Sequence, residues 1–398
     1  MIRLIRATKI TNKNLKVILL CAGLVWLGAV GLWWLVVGII AIILICWTFP
    51  TRSRSVKGKI AIGVLRSTII ILGLFLLIIL IKIFLIEIFN IPSVSMENTL
   101  HSGDKVVIGK ICYGPRLPRS PLELPWASLF FSNNKYKKDS ANARVWKYKR
   151  FAGYNRVERG DIVAFNHPDD QRRHLIKRCV ALPGDTIVLI NGNIWINNNY
   201  FAPTQEAKFN FSIFYNDPSE ISKLIDSLNI NNSWSIGPNF YYLQATMSIQ
   251  EMRILVNTSC VDSLLQTSST NINGVSKIGL SSSEERGIYN QGPMLVPQEG
   301  TTIKITDISM KLYGRIIRDS EMVQIIKKGD KYFLLGKEIK DYTFTKNYYF
   351  MMGDNRPKSI DSREFGMVPE DHIFGKGILV LFSINNGKMK WNRILKVV

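Results

Sequence analysis

Residues 186–197 read TIVLINGNIWIN, in which two runs of β-branched and aromatic residues flank Asn191-Gly192. Asn-Gly supplies the positive φ angles of a two-residue turn, so this stretch predicts a β-hairpin. Similar short runs recur between turn residues: 105–114 (KVVIGKICYG), 161–166 (DIVAFN), 331–339 (KYFLLGKEI), 348–353 (YYFMMG) and 377–384 (GILVLFSI). No long amphipathic helix is evident after residue 90. We therefore predict a mostly β fold there.

Two apolar stretches precede this region. Residues 17–47 carry no charge, and residues 67–89 contain only Lys82 and Glu87, both near the far end. Each is long enough to predict membrane-spanning helix. The first would make about 46 Å of helix against a membrane core of about 30 Å, which is long for one upright span and short for two. Two or three spans therefore remain possible, and the first stretch is too long for a cleavable signal peptide.

Charge indicates how these stretches are oriented. Residues 52–59, between them, contain four cations and no acid, so this loop is expected in the cytoplasm. The part after residue 89 would then lie on the extracytoplasmic, periplasmic side of the inner membrane. The chain has 51 Lys and Arg against 30 Asp and Glu, a net charge of +21. We expect anionic membrane lipids as partners; nucleic acid is disfavoured because no basic stripe accompanies a reader motif.

The same patterns suggest a division of the chain. The predicted regions are an N-terminal membrane region (1–66), a transmembrane helix (67–89), a catalytic β domain (90–200 and 330–398) and an inserted accessory region (201–329). Residues 115–157, which are rich in Pro and then in basic and aromatic residues, form a second expected insertion. The sequence does not indicate a role for either insertion.

Four short segments carry the chemistry: 91–100 (IPSVSMENTL), 159–165 (RGDIVAF), 174–185 (HLIKRCVALPGD) and 352–369 (MGDNRPKSIDSREFGMVP). In this order they resemble the boxes of the bacterial type I signal peptidases, the S26 family of membrane-bound serine proteases that remove signal peptides from exported preproteins. The resemblance covers residues 82–115, 157–200 and about 330–385. It implies a signal-peptidase-like β-sheet catalytic domain with an inserted second region.

The resemblance also implies a catalytic dyad. Ser95 matches the nucleophile and Lys177 the general base. A lysine can take the proton of a serine hydroxyl only when it is neutral, so burial must lower its pKa from about 10.4. Apolar neighbours suited to that task flank Lys177 in the sequence: Leu175, Ile176, Val180 and Leu182. Arg178 must point away or be paired.

Other matching positions surround the dyad. Ser93 matches a hydroxyl that helps to bind the oxyanion, and Ser359 matches one that orients the lysine amine. Asp361 and Arg363 match a structural ion pair, and Asp354 lies in a scaffold turn beside the site. Six residues match positions that line two shallow apolar pockets for small side chains before the cut: Phe89, Ile91, Pro92, Met96, Leu100 and Ile176.

The sequence departs from the family pattern at three places. Asn98 stands where a proline is usual, Val94 where glycine is common, and Pro357-Lys358 replace an acidic/amide pair. Because Val94 and Lys358 adjoin the predicted site, they can alter the pockets or the pKa of the lysine. Substrate preference is therefore the property that the resemblance supports least.

Other classes of protein fit the sequence less well. A Ser/His/Asp hydrolase is disfavoured because no GxSxG segment is present. A self-cleaving Ser/Lys repressor would carry a DNA-binding domain where the apolar stretches lie. The remaining alternative is a catalytically inactive, membrane-anchored binding or assembly protein on the same fold. Five scattered Cys without a CxxC pair, and four scattered His, predict neither a metal site nor a cofactor.

Overall fold

The structure is a computed structural model that describes residues 56–119, 123, 146–170, 173–236, 241–267, 289–385 and 387–398. The first apolar stretch (17–47), part of the basic loop (52–59) and most of the insertion expected at 115–157 lie outside the described residues. The chain divides into two compact units between Leu85 and Ile86.

The described helices and strands are, in chain order, α1 (Val56–Phe84), β1 (Ile86–Asn90), β2 (Asp104–Gly109), β3 (Ile162–Asn166), β4 (His174–Ala181), β5 (Thr186–Ile190), β6 (Asn193–Ile196), β7 (Asn199–Phe201), β8 (Lys208–Tyr215), α2 (Pro218–Ser227), β9 (Asn231–Ile236), β10 (Tyr241–Ser248), α3 (Ile249–Val256), β11 (Val261–Thr267), β12 (Gln291–Leu295), β13 (Thr302–Lys304), α4 (Asp307–Asp319), β14 (Ile325–Lys328), β15 (Lys331–Leu334), β16 (Lys337–Ile339), β17 (Asp341–Thr343), β18 (Tyr348–Met352), α5 (Ser362–Phe365), β19 (Val368–Pro369), β20 (Ile373–Asn385), β21 (Lys388–Met389) and β22 (Lys396–Val397). Strands predominate, as predicted.

Helix α1 contains a segment, Gly63–Phe84, that is long and apolar enough to cross a membrane, with a hydropathy of 2.8. Among the described residues it is the one helix with these properties. It ends at Phe84, so the predicted span 67–89 extends too far. Residues 86–90 instead form β1, which pairs antiparallel with β2. This strand is also rich in apolar residues, so hydropathy alone did not separate it from the helix.

The largest sheet has nine antiparallel strands. Its main order is β1-β2-β20-β3-β4-β18-β19, and the short strands β21 and β22 also pair with β20. The long strand β20 lies between β2 and β3. One apolar cluster under this sheet contains Ile91, Met96 and Leu100, which directly follow β1, together with residues of β2, β3, β4 and β20. This cluster ties the segment after β1 to the sheet.

A second core contains the predicted hairpin. Strands β5 and β6 pair, and Asn191 and Gly192 have φ values of 52° and 79°, which confirms the hairpin and its turn. Helix α4 buries Tyr313, Ile316 and Ile317 in the same core. Although no long amphipathic helix is evident in the sequence after residue 90, α4 is an amphipathic helix of 13 residues. The later part of the segment 201–329 shares this core with the strands around it.

Residues 208–267 form a third element of the fold. The order β8-α2-β9-β10-α3-β11 builds a four-stranded antiparallel sheet arranged β11-β8-β10-β9. This is the βαββαβ arrangement of ferredoxin-like units. A separate core joins both helices to the sheet: Ala207, Phe209, Phe211, Ile213, Tyr215, Ile221, Ile225, Ile230, Leu243, Ala245, Met247, Leu255 and Cys260. We call residues 207–267 the βαββαβ module. Sequence periodicity did not predict it.

Candidate active site

The predicted nucleophile lies in a tight turn after β1, which we call the serine turn (residues 93–99). Backbone hydrogen bonds from Glu97 N to Val94 O (3.0 Å) and from Leu100 N to Met96 O (2.7 Å) shape this turn. Met96 and Leu100 are 2% and 0% exposed and anchor the turn in the apolar cluster of the main sheet. Ser95 is thereby held at the edge of the core, with 9% of its surface exposed.

The structure brings Ser95 and Lys177 together. Lys177 lies in β4, opposite Val163 of β3. Its Nζ donates a hydrogen bond to Ser95 Oγ over 2.5 Å, although the two residues are far apart in sequence. Both side chains are buried, and Lys177 is 3% exposed. The nucleophile and base predicted from separate motifs are therefore within hydrogen-bonding distance.

Burial lowers the pKa of Lys177 from 10.5 to about 8, because a charged ammonium loses its hydration there. The charge of Asp361 opposes this shift and raises the pKa, while that of Arg363 lowers it further. The hydrophobic residues that flank the lysine in sequence are accompanied by apolar residues from the rest of the sheet. A substantial fraction of this amine is thus neutral at mildly alkaline pH.

Ser93 lies beside the nucleophile. Its Oγ is 3.2 Å from Ser95 Oγ, and either hydroxyl can be the donor. Ser93 is exposed, so its hydroxyl can also reach a group that approaches Ser95 from solvent. This position is compatible with the predicted contact to an oxyanion.

The segment 353–356 packs against the serine turn and forms hydrogen bonds with its backbone. Asn355 N donates to Ser95 O (3.0 Å), and Asn355 Nδ2 donates to Val94 O (3.1 Å). A Cβ at Gly353 would lie 2.5 Å from Ser95 O and 2.2 Å from Ser359 Oγ, so only glycine fits there. The sequence indicated a scaffold turn at these positions, but not that Asn355 holds the backbone of the nucleophile.

A buried polar cluster lies behind the dyad. Asp361 is fully buried and accepts hydrogen bonds from Gly353 N (3.0 Å), Ser359 Oγ (2.8 Å) and Arg363 Nε (2.8 Å). Burial alone would raise the pKa of Asp361, but the charge and hydrogen bonds of Arg363 hold it below its usual value. Asp361 and Arg363 are therefore an ion pair, as predicted from the sequence. The hydroxyl of Ser359 is oriented by this pair.

Arg178, the neighbour of Lys177, is paired. Its Nε and Nη2 donate to the two carboxylate oxygens of Asp354 over 2.8 and 2.6 Å. Asp354 also accepts from Thr99 Oγ1 over 2.6 Å, which connects it to the serine turn. The arginine thus meets the requirement that its charge be compensated beside a neutral lysine.

The predicted pocket residues divide into two groups. Phe89, Ile91, Met96, Leu100 and Ile176 share one apolar cluster, whereas Pro92 is exposed. Met96 and Leu100 are almost fully buried, so in this structure they act as core residues. Phe89 is only partly buried, whereas the other four residues of this cluster are buried. The pocket assignment stays a prediction.

Two strands near the dyad, β1 and the first half of β4, each have one strand partner among the described residues. Pairing between β18 and β4 starts at Arg178, so within the described residues the stretch 174–177 has β3 as its strand partner. Strand β1 pairs with β2, and it lies at the end of the sheet order. The Phe89 and His174 rings are nevertheless 5.4 Å apart, so the sheet curls to bring β1 close to β4.

The part of the chain that the structure describes contains no group of three or more His, Cys, Asp or Glu residues suited to hold a metal ion. The side chains around Ser95 are instead a hydroxyl, an amine, a buried ion pair and apolar groups. This set is typical of acyl transfer by a serine nucleophile with an amine base.

Comparisons with known proteins identify the family of the chain. A profile of the family described as signal peptidase, peptidase S26, matches residues 64–243 and 297–382. Signal peptidase I of Buchnera aphidicola subsp. Acyrthosiphon pisum is 26% identical over 344 residues, which cover 85% of this chain and 82% of that protein. Signal peptidase I of Helicobacter pylori strain J99 is 26% identical over 346 residues, covering 82% and 90% of the two chains.

A solved signal peptidase I from Enterococcus faecalis V583 aligns at 17% identity with a TM-score of 0.20, covering 56% of this chain and 97% of that one. Such a low score gives no support to a detailed comparison of folds. The profile match, by contrast, extends over more than half of the sequence and includes Ser95, Lys177 and the segment 352–369. The chain therefore belongs to the signal peptidase family, peptidase S26.

Proposed function

We propose that this protein is an active, membrane-bound signal peptidase that uses Ser95 as nucleophile and Lys177 as general base. The observation that carries the proposal is the 2.5 Å contact between Lys177 Nζ and Ser95 Oγ, made by an amine that is 3% exposed. Family membership implies a serine endopeptidase, and its relatives are named signal peptidase I. The expected substrates are the signal peptides of exported preproteins.

The chemistry follows from the dyad. Neutral Lys177 takes the proton from the Ser95 hydroxyl while Oγ bonds to the scissile carbonyl carbon. The carbonyl oxygen becomes negative, and the Ser93 hydroxyl together with the backbone N–H of Ser95 stabilises it. Lys177 then gives its proton to the departing nitrogen as the C–N bond breaks. This step leaves an ester on Ser95.

Water completes the cycle. It gives a proton to Lys177 as its oxygen attacks the ester carbon, and the proton passes to Ser95 Oγ when the acyl group leaves. Ser359, held by Asp361, keeps the amine in line with the serine. Burial favours the neutral form of Lys177 in the resting enzyme, and within the catalytic cycle the amine is charged between one proton transfer and the next.

Substrate binding is proposed at the strand edges. An extended peptide adds to residues 174–177 through main-chain hydrogen bonds, and its alternate side chains point towards the apolar cluster around Ile91 and Ile176. Small residues before the cut are the substrate side chains expected at this cluster.

Location is part of the proposal. Helix α1 anchors the chain in the inner membrane, with the catalytic part on the extracytoplasmic side, and anionic lipids bind the basic segments. Additional spans are expected from residues 17–47.

The test is cleavage of a preprotein by the purified full-length chain in lipid vesicles. Ser95→Ala should abolish product formation, because it removes the hydroxyl that Lys177 Nζ contacts and that attacks the substrate carbonyl. Ser227→Ala, which removes an exposed hydroxyl from α2, is the matched control and should cleave like the wild type. Cleavage by Ser95→Ala refutes the dyad, and a folded wild type that binds but does not cleave favours the inactive binding protein.

A further inference from the structure

The first strand of the βαββαβ module contacts the segment 353–356, which holds the backbone of Ser95. Lys208, at the start of β8, donates its backbone N–H to Asp354 O over 2.8 Å. It also forms an isolated parallel bridge with Asn355. The start of β8 thus pairs with residues 354–355, and Asn355 in turn binds the backbone of Ser95.

The side chain of Lys208 reaches the other half of the site. Its Nζ lies 3.4 Å from Glu97 Oε2, in the serine turn. The Lys208 side chain is 13% exposed and that of Glu97 is 30% exposed, so water screens the pair only in part. The same Glu97 oxygen accepts from Asn355 Nδ2 over 3.4 Å. Lys208 therefore connects the serine turn with the segment beneath it.

Asn98 adds a second connection. It has a φ of 77°, in the left-handed region, and its Nδ2 donates to Glu206 O over 3.4 Å. Proline, whose ring holds φ near −65°, cannot adopt this conformation. The left-handed backbone conformation of Asn98 thus accompanies a contact between the serine turn and Glu206, which precedes β8.

Phe209 makes a third contact next to Lys208. Its ring lies 5.8 Å from the guanidinium carbon of Arg356, which is 3% exposed. Arg356 directly follows Asn355, so the module supports this segment by a cation–π contact as well as by hydrogen bonds. Glu206, Lys208 and Phe209 therefore each contact either the serine turn or the segment 353–356.

We propose that Lys208 is a positioning residue for Ser95, through which the βαββαβ module sets the reactivity of the dyad. The inference rests on the proposed function. When Lys208 binds both Glu97 and the 353–356 segment, the serine turn is held against the strand that carries Lys177. Small displacements of a nucleophile from its base can lower the rate by up to about 100-fold. Loss of the Lys208 amine is expected to lower kcat about tenfold, since the backbone contact remains.

The experiment compares Lys208→Met with Lys208→Arg in the full-length chain, using a preprotein substrate and separate measurements of kcat and KM. Lys208→Met should lower kcat about tenfold and leave KM within about twofold, and Lys208→Arg should restore kcat. Glu97→Gln removes the same pair from the serine turn and should reproduce the effect. The double variant should lose little more than either single one.

Lys331→Met is the matched control, because Lys331 pairs with Glu338 at 2.8 Å in a β-hairpin elsewhere in the chain. It should leave kcat unchanged. A kcat within twofold of the wild type in both Lys208→Met and Glu97→Gln overturns the positioning role, as does an equal loss in the control. If the wild type cleaves and Ser95→Ala does not, such a result leaves the proposed function intact; failure of the wild type to cleave refutes that function instead.

Discussion

Lys177 and Arg178 are neighbours in β4, but their side chains lie in different surroundings, and their pKa values shift in opposite directions. Lys177 meets apolar groups and the Ser95 hydroxyl, and burial lowers its pKa to about 8. On the other face, burial alone would lower the pKa of Arg178, but hydrogen bonds and the charge of Asp354 raise it. One strand therefore carries an amine that loses its proton easily and a guanidinium that keeps its charge.

The difference teaches how a lysine base is isolated from neighbouring cations. Successive side chains of a strand point to opposite faces, so a single residue step separates the two environments. Asp354 binds Arg178 through both carboxylate oxygens, while Asp361 is occupied by Arg363. Each buried carboxylate close to the amine is thus committed to an arginine, which limits how far it stabilises the charged form of Lys177.

The largest effect is expected when the amine of Lys177 is removed. Lys177→Met keeps the length and apolar character of the side chain but removes the base. Activity should fall by about 10⁴-fold or more, as for the removal of a dyad or triad member in other serine hydrolases. Preprotein cleavage under single-turnover conditions measures the loss. Lys331→Met again serves as control, and residual activity above about 1% in Lys177→Met would contradict a role as base.

Loss of the ion pair between Arg178 and Asp354 should lower the stability of the fold more than the rate of cleavage. Asp354→Asn leaves the buried Arg178 guanidinium without its carboxylate, which typically costs about 3–5 kcal/mol of unfolding free energy. Denaturant unfolding of the detergent-solubilised chain measures this. Asp319→Asn, which breaks an exposed pair with Arg318, should cost less than about 1 kcal/mol. Equal losses in the two variants would show that the Arg178 pair has no special importance.

The sequence was sufficient to predict Ser95 and Lys177 as a pair, because four motifs and their order pointed to both residues, and their side chains are in contact in the structure. It also predicted the hairpin, whose Asn191-Gly192 turn is a local signal. The βαββαβ module was not predicted, since β9 (NNSWSI) is mostly polar and its alternation is weak. The contact between Lys208 and Glu97 depends on how separate elements pack, which no local pattern records.

Boundaries were harder to predict for a related reason. Helix α1 and strand β1 are both apolar and are separated by Leu85 alone. What ends the helix is the pairing of Ile86–Asn90 with β2, an interaction with residues further along the chain. The burial of Met96 and Leu100 likewise arises from the main-sheet core, so their sequence does not distinguish pocket from core residues.

The pH dependence of cleavage tests the lowered pKa of Lys177 without substitution of this residue. Because Lys177 must be neutral to act and its pKa is about 8, kcat/KM should rise with pH and reach half of its plateau near pH 8. Between pH 8 and pH 6 it should fall about 50-fold. Glu364→Gln removes a carboxylate whose charge raises the Lys177 pKa, so its profile should move to slightly lower pH. A profile that stays flat from pH 6 to pH 9 is incompatible with this base.

The smallest expected effect is a gain in stability when the lysine is removed. The folded-state pKa of Lys177 is about 8 and the ordinary value is 10.5, so the unfolded chain binds the proton more tightly. At pH 7 this difference costs the folded state about 3 kcal/mol, and the cost disappears as pH rises from about 8 to 10.5. Lys177→Met should therefore unfold at higher denaturant concentration at pH 7, with a gain of about 2 kcal/mol after the loss of the hydrogen bond to Ser95. The gain should shrink towards pH 10. An equal or lower stability at pH 7 would mean that the folded protein accommodates the charged amine without cost, and that the two faces of β4 differ less than their contacts imply.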